Sequence, residues 1–171
     1  MLKINEICLV IALLLVLFCS PALAIEYKYK EVRDFKTLES FETVQEFEDN
    51  FGRYTQECLD NTYGGTGGVP CLIAYDMWER ELHIYYKKLR RALNREQKKK
   101  LVESQRAWIT ERDSSAALTS ALLDDRYQHM GTMYVLMRAG EWSELNAPIV
   151  KNRALLLREW NKSLSLEKYR D

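Results

Sequence analysis

The chain has 171 residues, 47% of them hydrophobic, and carries 25 Lys+Arg against 25 Asp+Glu, for a formal net charge of zero. That length supports one domain with one modest core, and no low-complexity stretch, long linker or internal repeat calls for a second. Neutrality hides an asymmetry: residues 25–63 hold ten acids against five bases, and residues 80–106 hold ten bases against Glu81, Glu96 and Glu103. Solvated helix faces that neutralise one another account for this, and an acidic surface for a cationic partner is the functional alternative.

At the N-terminus, Lys3 precedes twelve uninterrupted apolar residues, Ile7 to Phe18, followed by Ser20-Pro21-Ala22-Leu23-Ala24. A charged start, an apolar run of this length and an A-x-A site predict a signal peptide over residues 1–24, cleaved after Ala24. The run falls short of the roughly 20 residues that a spanning helix needs, so no stable membrane insertion is expected after cleavage. An uncleaved signal anchor is the other reading of the same run. Cys19 raises lipid attachment, against which the bulky Phe18 argues. The expected location is therefore periplasmic or secreted, and export makes nucleic acid an unexpected partner for the basic stretch.

Residues 25–38 show no period and are expected as a flexible arm, with a single helical domain over residues 39–171. From about Glu39, the residues Phe41, Val44, Phe47, Phe51, Tyr54 and Cys58 recur at steps of three and four, which predicts an amphipathic helix ending by Tyr63. Gly64 to Pro70, GGTGGVP, breaks it. A second helix is expected from about Pro70 to Leu93 on the stripe Leu72, Tyr75, Trp78, Leu82, Tyr85/Tyr86, Leu89 and Leu93, with Pro70 in its first turn. Asn94 and Gln97 resemble a capping box for a third helix carrying Leu101, Gln105, Trp108, Ile109, Arg112 and Ala116 on one face. Helices two and three then form an antiparallel pair. Leu118 to Leu123 extend the third helix, Asp124 to Gly131 reads as a break, and a last helix is expected from about Ser143 or Pro148 to Trp160. No segment alternates as a strand. The fold class is all-α, three to five helices in a small antiparallel bundle or hairpin array.

Cys8 and Cys19 leave with the signal. Cys58 and Cys71 remain, bound for an oxidising compartment, and are predicted to form a disulfide contributing on the order of 3 kcal/mol. Metal binding is the rival reading, but two Cys without a nearby His do not complete a tetrahedral site.

No catalytic centre, cofactor site or metal site emerges. No acid pair stands out from the solvated majority as a glycosidase-type pair would. His83 and His129 lie far apart in sequence, and no Ser occupies a nucleophile elbow. GGTGG lacks the Lys-Ser/Thr of a phosphate loop; it reads as a flexible connection, or as a recognition loop with Thr66 at its tip. The pairing of helices two and three has better-defined physics. With its midpoint between Asn94 and Arg95, Glu79 comes within reach of Arg112, Leu82 meets Trp108, and Tyr86 approaches Gln105. An inward Glu79–Arg112 pair would fix the register, and Arg112 lies i, i+4 from Trp108, as suits stacking.

At this point the residues resemble a known family, the small exported bacterial proteins related to the LprI-like lysozyme inhibitor N-terminal domain. Its pattern is a Cys, a dozen residues, a second Cys, then W-D-x-E-L-N-x-x-Y-K-x-L and Q-R-x-W-x-x-x-R-D. Here these read Cys58, Cys71, Trp78-Glu79-Arg80-Glu81-Leu82 through Leu89, and Gln105-Arg106-Ala107-Trp108 through Arg112-Asp113. Gly131-Thr132-Met133 and Arg153 to Leu157 are fainter echoes, so the match covers about residues 56–158. Glu79 and His83 replace the usual Asp and Asn, while Ser114, Ser115 and Trp142 stand where a second disulfide would be.

The resemblance implies an exported, non-enzymatic binding protein whose partner is a lysozyme or another muramidase, with no cofactor. It makes Trp78, Glu79, Leu82, Tyr86, Gln105, Arg106, Trp108, Arg112 and Asp113 a scaffold core. Candidate partner contacts are then sought outside it, at Thr66 and on the acidic helix at Glu42, Glu46, Glu48 and Asp49. A structural or accessory envelope protein, or an immunity protein for a secreted effector, is the alternative. The oligomeric state is left open.

Overall fold

The structure, a computed structural model, describes residues 27–62 and 64–167. The signal peptide expected over residues 1–24 lies outside the described residues. Among the described residues there is no strand. Four α-helices, α1 (Val44–Asn61), α2 (Ala74–Ala92), α3 (Arg95–Arg126) and α4 (Thr132–Glu167), alternate with 3-10 segments at Val32–Asp34, Leu38–Ser40 and Gly65–Cys71. The all-α class holds, and Cys58 and Cys71 form the expected disulfide.

Several boundaries differ from expectation. α1 starts at Val44 rather than Glu39, because Thr43 caps it by accepting the Glu46 N–H at 3.1 Å, while the Glu46 carboxylate accepts the Glu42 N–H. Its predicted stripe, Phe47, Phe51, Tyr54 and Cys58, is buried. α2 starts at Ala74, and Pro70 belongs instead to the 3-10 segment that the disulfide holds against α1. Gly64 and Gly65 turn that segment at φ +74° and +60°, where other residues are strained. Asn94 and Gln97 close the capping box of α3 reciprocally, at 2.9 and 3.0 Å.

The largest departure is α4, which begins at Thr132, well ahead of Ser143, and continues through Pro148. Pro148 is exposed, so its ring and the Glu144 carbonyl that it leaves without a helical donor face solvent. α4 is the central helix, packed against α2, α3 and the disulfide segment. It runs antiparallel to α3, where Arg126 pairs with Glu141 and Arg153 with Gln105. It runs parallel to α2, from Tyr75 on Trp142 to the Tyr85 carbonyl bound by Asn161. Lys151 ties it to α1 through Glu48 at 2.7 Å.

The expected direct packing of α2 on α3 is not what forms: both helices pack on α4, which completes the core, and they meet each other chiefly through Glu79 and Arg112. Trp78 and Leu82 are buried, and Tyr86 and Trp108 pack at the margin. Gln105 reaches α4, accepting from the Arg153 guanidinium at 3.0 Å. Arg112 does meet Glu79, at 3.4 Å, and lies 5.2 Å from the Trp108 ring centre. The pair is not inward, however: the two side chains are 21% and 36% exposed, and Arg112 bonds Asp113 more closely, at 2.7 Å.

The buried carboxylate is Glu81, fully enclosed on α2. Arg80 binds it at 2.8 Å and also donates to the backbone carbonyls of Val32, Phe35 and Lys36 at 2.6, 2.9 and 2.8 Å. Residues 27–38, expected as a flexible arm, are thus fastened to α2. The Lys30 N–H on the Tyr54 hydroxyl and the Tyr29 hydroxyl on the Gly67 carbonyl add further ties. Leu38, at the end of the arm, is buried in the main core.

Arg80→Ala should leave Glu81 buried without its partner and free the arm, lowering stability by about 3–5 kcal/mol in chemical denaturation. Hydrogen exchange at residues 32–38 should rise by orders of magnitude, and unchanged protection there would refute the clamp. Burial pushes the Glu81 carboxyl above its ordinary 4.5, against the opposing pull of Arg80 and the Leu38 backbone. Folding therefore takes up a proton between 4.5 and the raised value. This group's contribution is complete below 4.5 and is lost as pH rises through the raised value. Glu81→Gln should accordingly flatten the fall in melting temperature as pH rises from 4.5 through the raised value, and an equally steep profile would assign that slope to other groups. Arg112→Leu, at a half-exposed pair, should cost under about 1 kcal/mol. A loss of several kcal/mol would mean that the pair is buried in solution.

Candidate protein-interaction surface

Of the α2–α3 motif residues, Trp78, Leu82 and Gln105 are buried in the bundle. The Trp78 and Phe47 rings pack in a T-shape at 5.1 Å between centres, and the Lys151 ammonium lies 5.5 Å from the Trp78 ring centre. Arg106 is exposed, and its backbone carbonyl accepts the Thr110 hydroxyl within α3. Glu79, Arg112 and Asp113 form one chain of ion pairs along the edge of the bundle. Among the described residues no three His, Cys, Asp or Glu converge as a metal site, and no helix is long and apolar enough to cross a membrane.

The expected contact residues do not form one surface. Glu42, Glu46 and Asp49 are exposed near the start of α1, where Glu46 also serves its own cap and Asp49 accepts from Gln45. Glu48 is turned to Lys151 and is occupied by that ion pair. Thr66 lies beyond the other end of α1; from Glu46 to Asn61 alone the helix rises about 22 Å. A partner would have to span the molecule to use both.

What does come together is the end of the molecule that holds Thr66. The start of α2 lies level with Ser120 of α3, so the last turns of α3 run past it and pair with the first turns of α4. Arg138 binds Asp124 at 2.6 Å, while Glu141 receives both Arg126 and the Tyr127 hydroxyl, the latter at 2.8 Å. Gly131, at φ +144°, makes the turn between the helices. On one flank the disulfide segment closes in. A Cβ on Gly65 would fall 2.8 Å from the Thr132 hydroxyl, and one on Gly68 would fall 3.0 Å from Leu136 and 2.9 Å from Leu59. These glycines allow the segment to seat against α4, which fixes Thr66 beside the α3–α4 turn.

The remaining faces of this end are apolar and open. Leu118, Leu122, Met130, Met133, Tyr134, Val135 and Met137 are all exposed, Met130 almost completely at 98%. Isolated exposed apolar residues need no explanation, but seven of them in the last turns of α3, the turn and the first turns of α4 make this end the candidate interaction surface. Its charged surroundings are acidic on balance: residues 117–145 contain Asp124, Asp125, Glu141 and Glu144 against Arg126 and Arg138. The sequence did carry the signal. Met133 to Met137 is five successive large apolar residues, more than one helix face can bury in a two-helix protrusion.

Against known proteins, residues 70–150 match the family model described as lysozyme inhibitor LprI, a little under half of the chain. No curated protein and no solved structure matches significantly. The matched span opens in the disulfide segment and closes on α4, so it contains α2, α3 and the whole apolar end. It leaves out the acidic α1.

Proposed function

We propose, from the match of residues 70–150 to the lysozyme inhibitor LprI family model, that this is an exported protein that binds a peptidoglycan-cleaving enzyme of the lysozyme type and obstructs its cleft. The N-terminal pattern supports export, and the family supports a protein partner. The observation that carries the site is the apolar α3–α4 end, which lies inside the family match while the acidic face of α1 lies outside it. A narrow protrusion made rigid by Asp124–Arg138 and Arg126–Glu141 suits entry into a concave site. Its methionines are unbranched and adaptable, and can fit an irregular wall. Its acid-biased surroundings would steer a cationic enzyme and add a salt-sensitive component to the association rate. Thr66 and the disulfide segment form the flank of this contact in our reading, and the acids of α1 act at longer range.

The protein purified from envelope extract should bind at least one enzyme from a panel of muramidases and slow its clearing of a cell-wall suspension. Neither binding nor inhibition across the panel would end this reading. Met130→Asp combined with Met133→Asp should weaken binding at least tenfold while leaving helicity and melting temperature near those of the parent. Glu46→Lys should change affinity by less than threefold. The reverse ranking would move the contact to α1.

A further inference from the structure

At the opposite end of the molecule from the apolar protrusion, the last turns of α2 and α4 meet the first turns of α3. Residues 87–100 hold eight Lys and Arg side chains there against a single carboxylate, Glu96. Lys88 is matched by Glu39. Among the described residues the other seven have no ion-pair partner, and six of them are exposed. Between the same three helix ends lies a groove of about 380 Å³, with Lys100 on its wall. The buried Leu89 and Leu101 form its floor, and Leu93, Trp160 and Leu164 line its sides. Trp160 stays 37% exposed, although its ring also backs the buried Arg153 guanidinium.

Helix stability accounts for only part of this charge. Arg90 and Arg91 close α2, where the helix dipole favours cations. Arg95 opens α3 and Lys98 follows within a turn, where the same dipole disfavours them. Lys87 and Arg91 lie i, i+4 on α2, and Arg95 and Lys99 lie i, i+4 on α3, a spacing at which like charges repel. The cluster therefore works against the local stability of both helices. A sequence that departs from local rules in this way does so most often where it serves a binding surface.

We propose that this end of the bundle docks on an anionic lipid bilayer, its cations among the phosphate head groups and an acyl chain in the leucine-lined groove. The two parts of the surface match the two parts of a phospholipid. Clustered Lys and Arg are drawn to a negatively charged leaflet roughly in proportion to their number. Trp and Leu side chains beside them settle at the boundary between head groups and acyl chains. A free phosphate or an acidic peptide would satisfy the charge and leave the leucines in water. Unpaired, solvated cations can also follow head groups that move laterally, whereas a folded acidic partner is best met by charges already held in place. The contact is with one leaflet and is not a crossing. α3 rises about 48 Å along its length, so docking at its start would present the apolar protrusion away from the bilayer. The proposal is independent of the lysozyme reading, which concerns the other end of the molecule.

The test is sedimentation of the protein purified from envelope extract with vesicles of phosphatidylcholine alone or of phosphatidylcholine mixed with phosphatidylglycerol, beside a titration with soluble polyglutamate. The mixed vesicles should bind at least tenfold more tightly than either the neutral vesicles or polyglutamate, and added salt should weaken that binding. Lys87→Gln, Arg91→Gln, Arg95→Gln and Lys99→Gln together should reduce it by about a hundredfold or more. The melting temperature of that variant should stay level or rise, because two like-charge pairs are relieved. Mixed vesicles brominated along the acyl chain should quench the tryptophan fluorescence of the bound protein, and Trp160→Phe should remove most of that quenching. Equal binding to neutral vesicles would overturn the proposal, and so would binding without quenching. Tight binding of polyglutamate in preference to vesicles would overturn it in favour of an acidic protein partner. Full vesicle binding by the four-site variant at unchanged helicity would overturn it as well. Clearing of a cell-wall suspension needs no vesicles, so lysozyme inhibition stands or falls separately.

Discussion

Arg153 is a buried guanidinium with no carboxylate to meet it, and the arrangement of the bundle follows from how its charge is accommodated. Burial alone lowers its affinity for the proton, so the site strains against holding a charge. Gln105 and Ser104 of α3 accept two of its N–H groups at 3.0 Å each. The rings of Trp108 and Trp160 flank the guanidinium, their centres 5.9 and 5.5 Å away. Neutral acceptors and π faces are weaker partners than a carboxylate but cost far less to desolvate. They also demand one register of α3 against α4, because a slip of one turn would leave the charge facing aliphatics. With α4 so placed, the rest is positioned by short ties from it: Lys151 to Glu48 on α1, Asn161 to the Tyr85 carbonyl on α2, and Leu136 under Gly68 of the disulfide segment.

Arg80 plays the complementary part at the other face of α2, and its solution is the opposite one. It keeps a carboxylate, Glu81, but spends most of its donors on backbone carbonyls of a segment with almost no regular structure. Backbone carbonyls in a short 3-10 turn need partners wherever water is excluded. One guanidinium fork supplies three of them, which is why the arm can pack Leu38 into the core without a helix of its own.

These two arginines also mark where the sequence was legible and where it was not. The stripe of α1, the capping box at Asn94, the disulfide and the inward Trp78 and Leu82 all follow from local spacing and local chemistry, and all are found. The order of the arm could not be read locally, because it depends on a side chain some 45 positions away. The buried carboxylate was misplaced for a different reason. Glu81 lies three residues after Trp78 and four before Tyr85, so helical phase puts it inside, whereas charge argues for the surface. Phase prevailed with Arg80 binding one carboxylate oxygen, while the other is buried without a hydrogen-bond partner, in keeping with the raised pKa. The early start of α4 was hidden by Gly140, by Pro148 and by an apolar run without a period. Each is an ordinary sign against an amphipathic helix, and each is tolerated here because one side of this segment is solvent or unfilled surface.

The site was the least legible part, because a binding surface is defined by what a chain fails to bury. Acidic residues drew attention to α1, yet an exposed charge is already satisfied by water and gains little by meeting a partner. Exposed methionine, leucine and tyrosine side chains are in the reverse position: each has area left to remove from water, at about 25 cal/mol per Å². On this account the two sets of residues divide the work by physics rather than by competition. Under the proposed function, charge spread over the protein would govern how often a cationic partner arrives, and the apolar end how long it stays. The second half of α3 and the first turns of α4 would then need no core of their own to justify their length, since what they leave exposed would be buried by the partner.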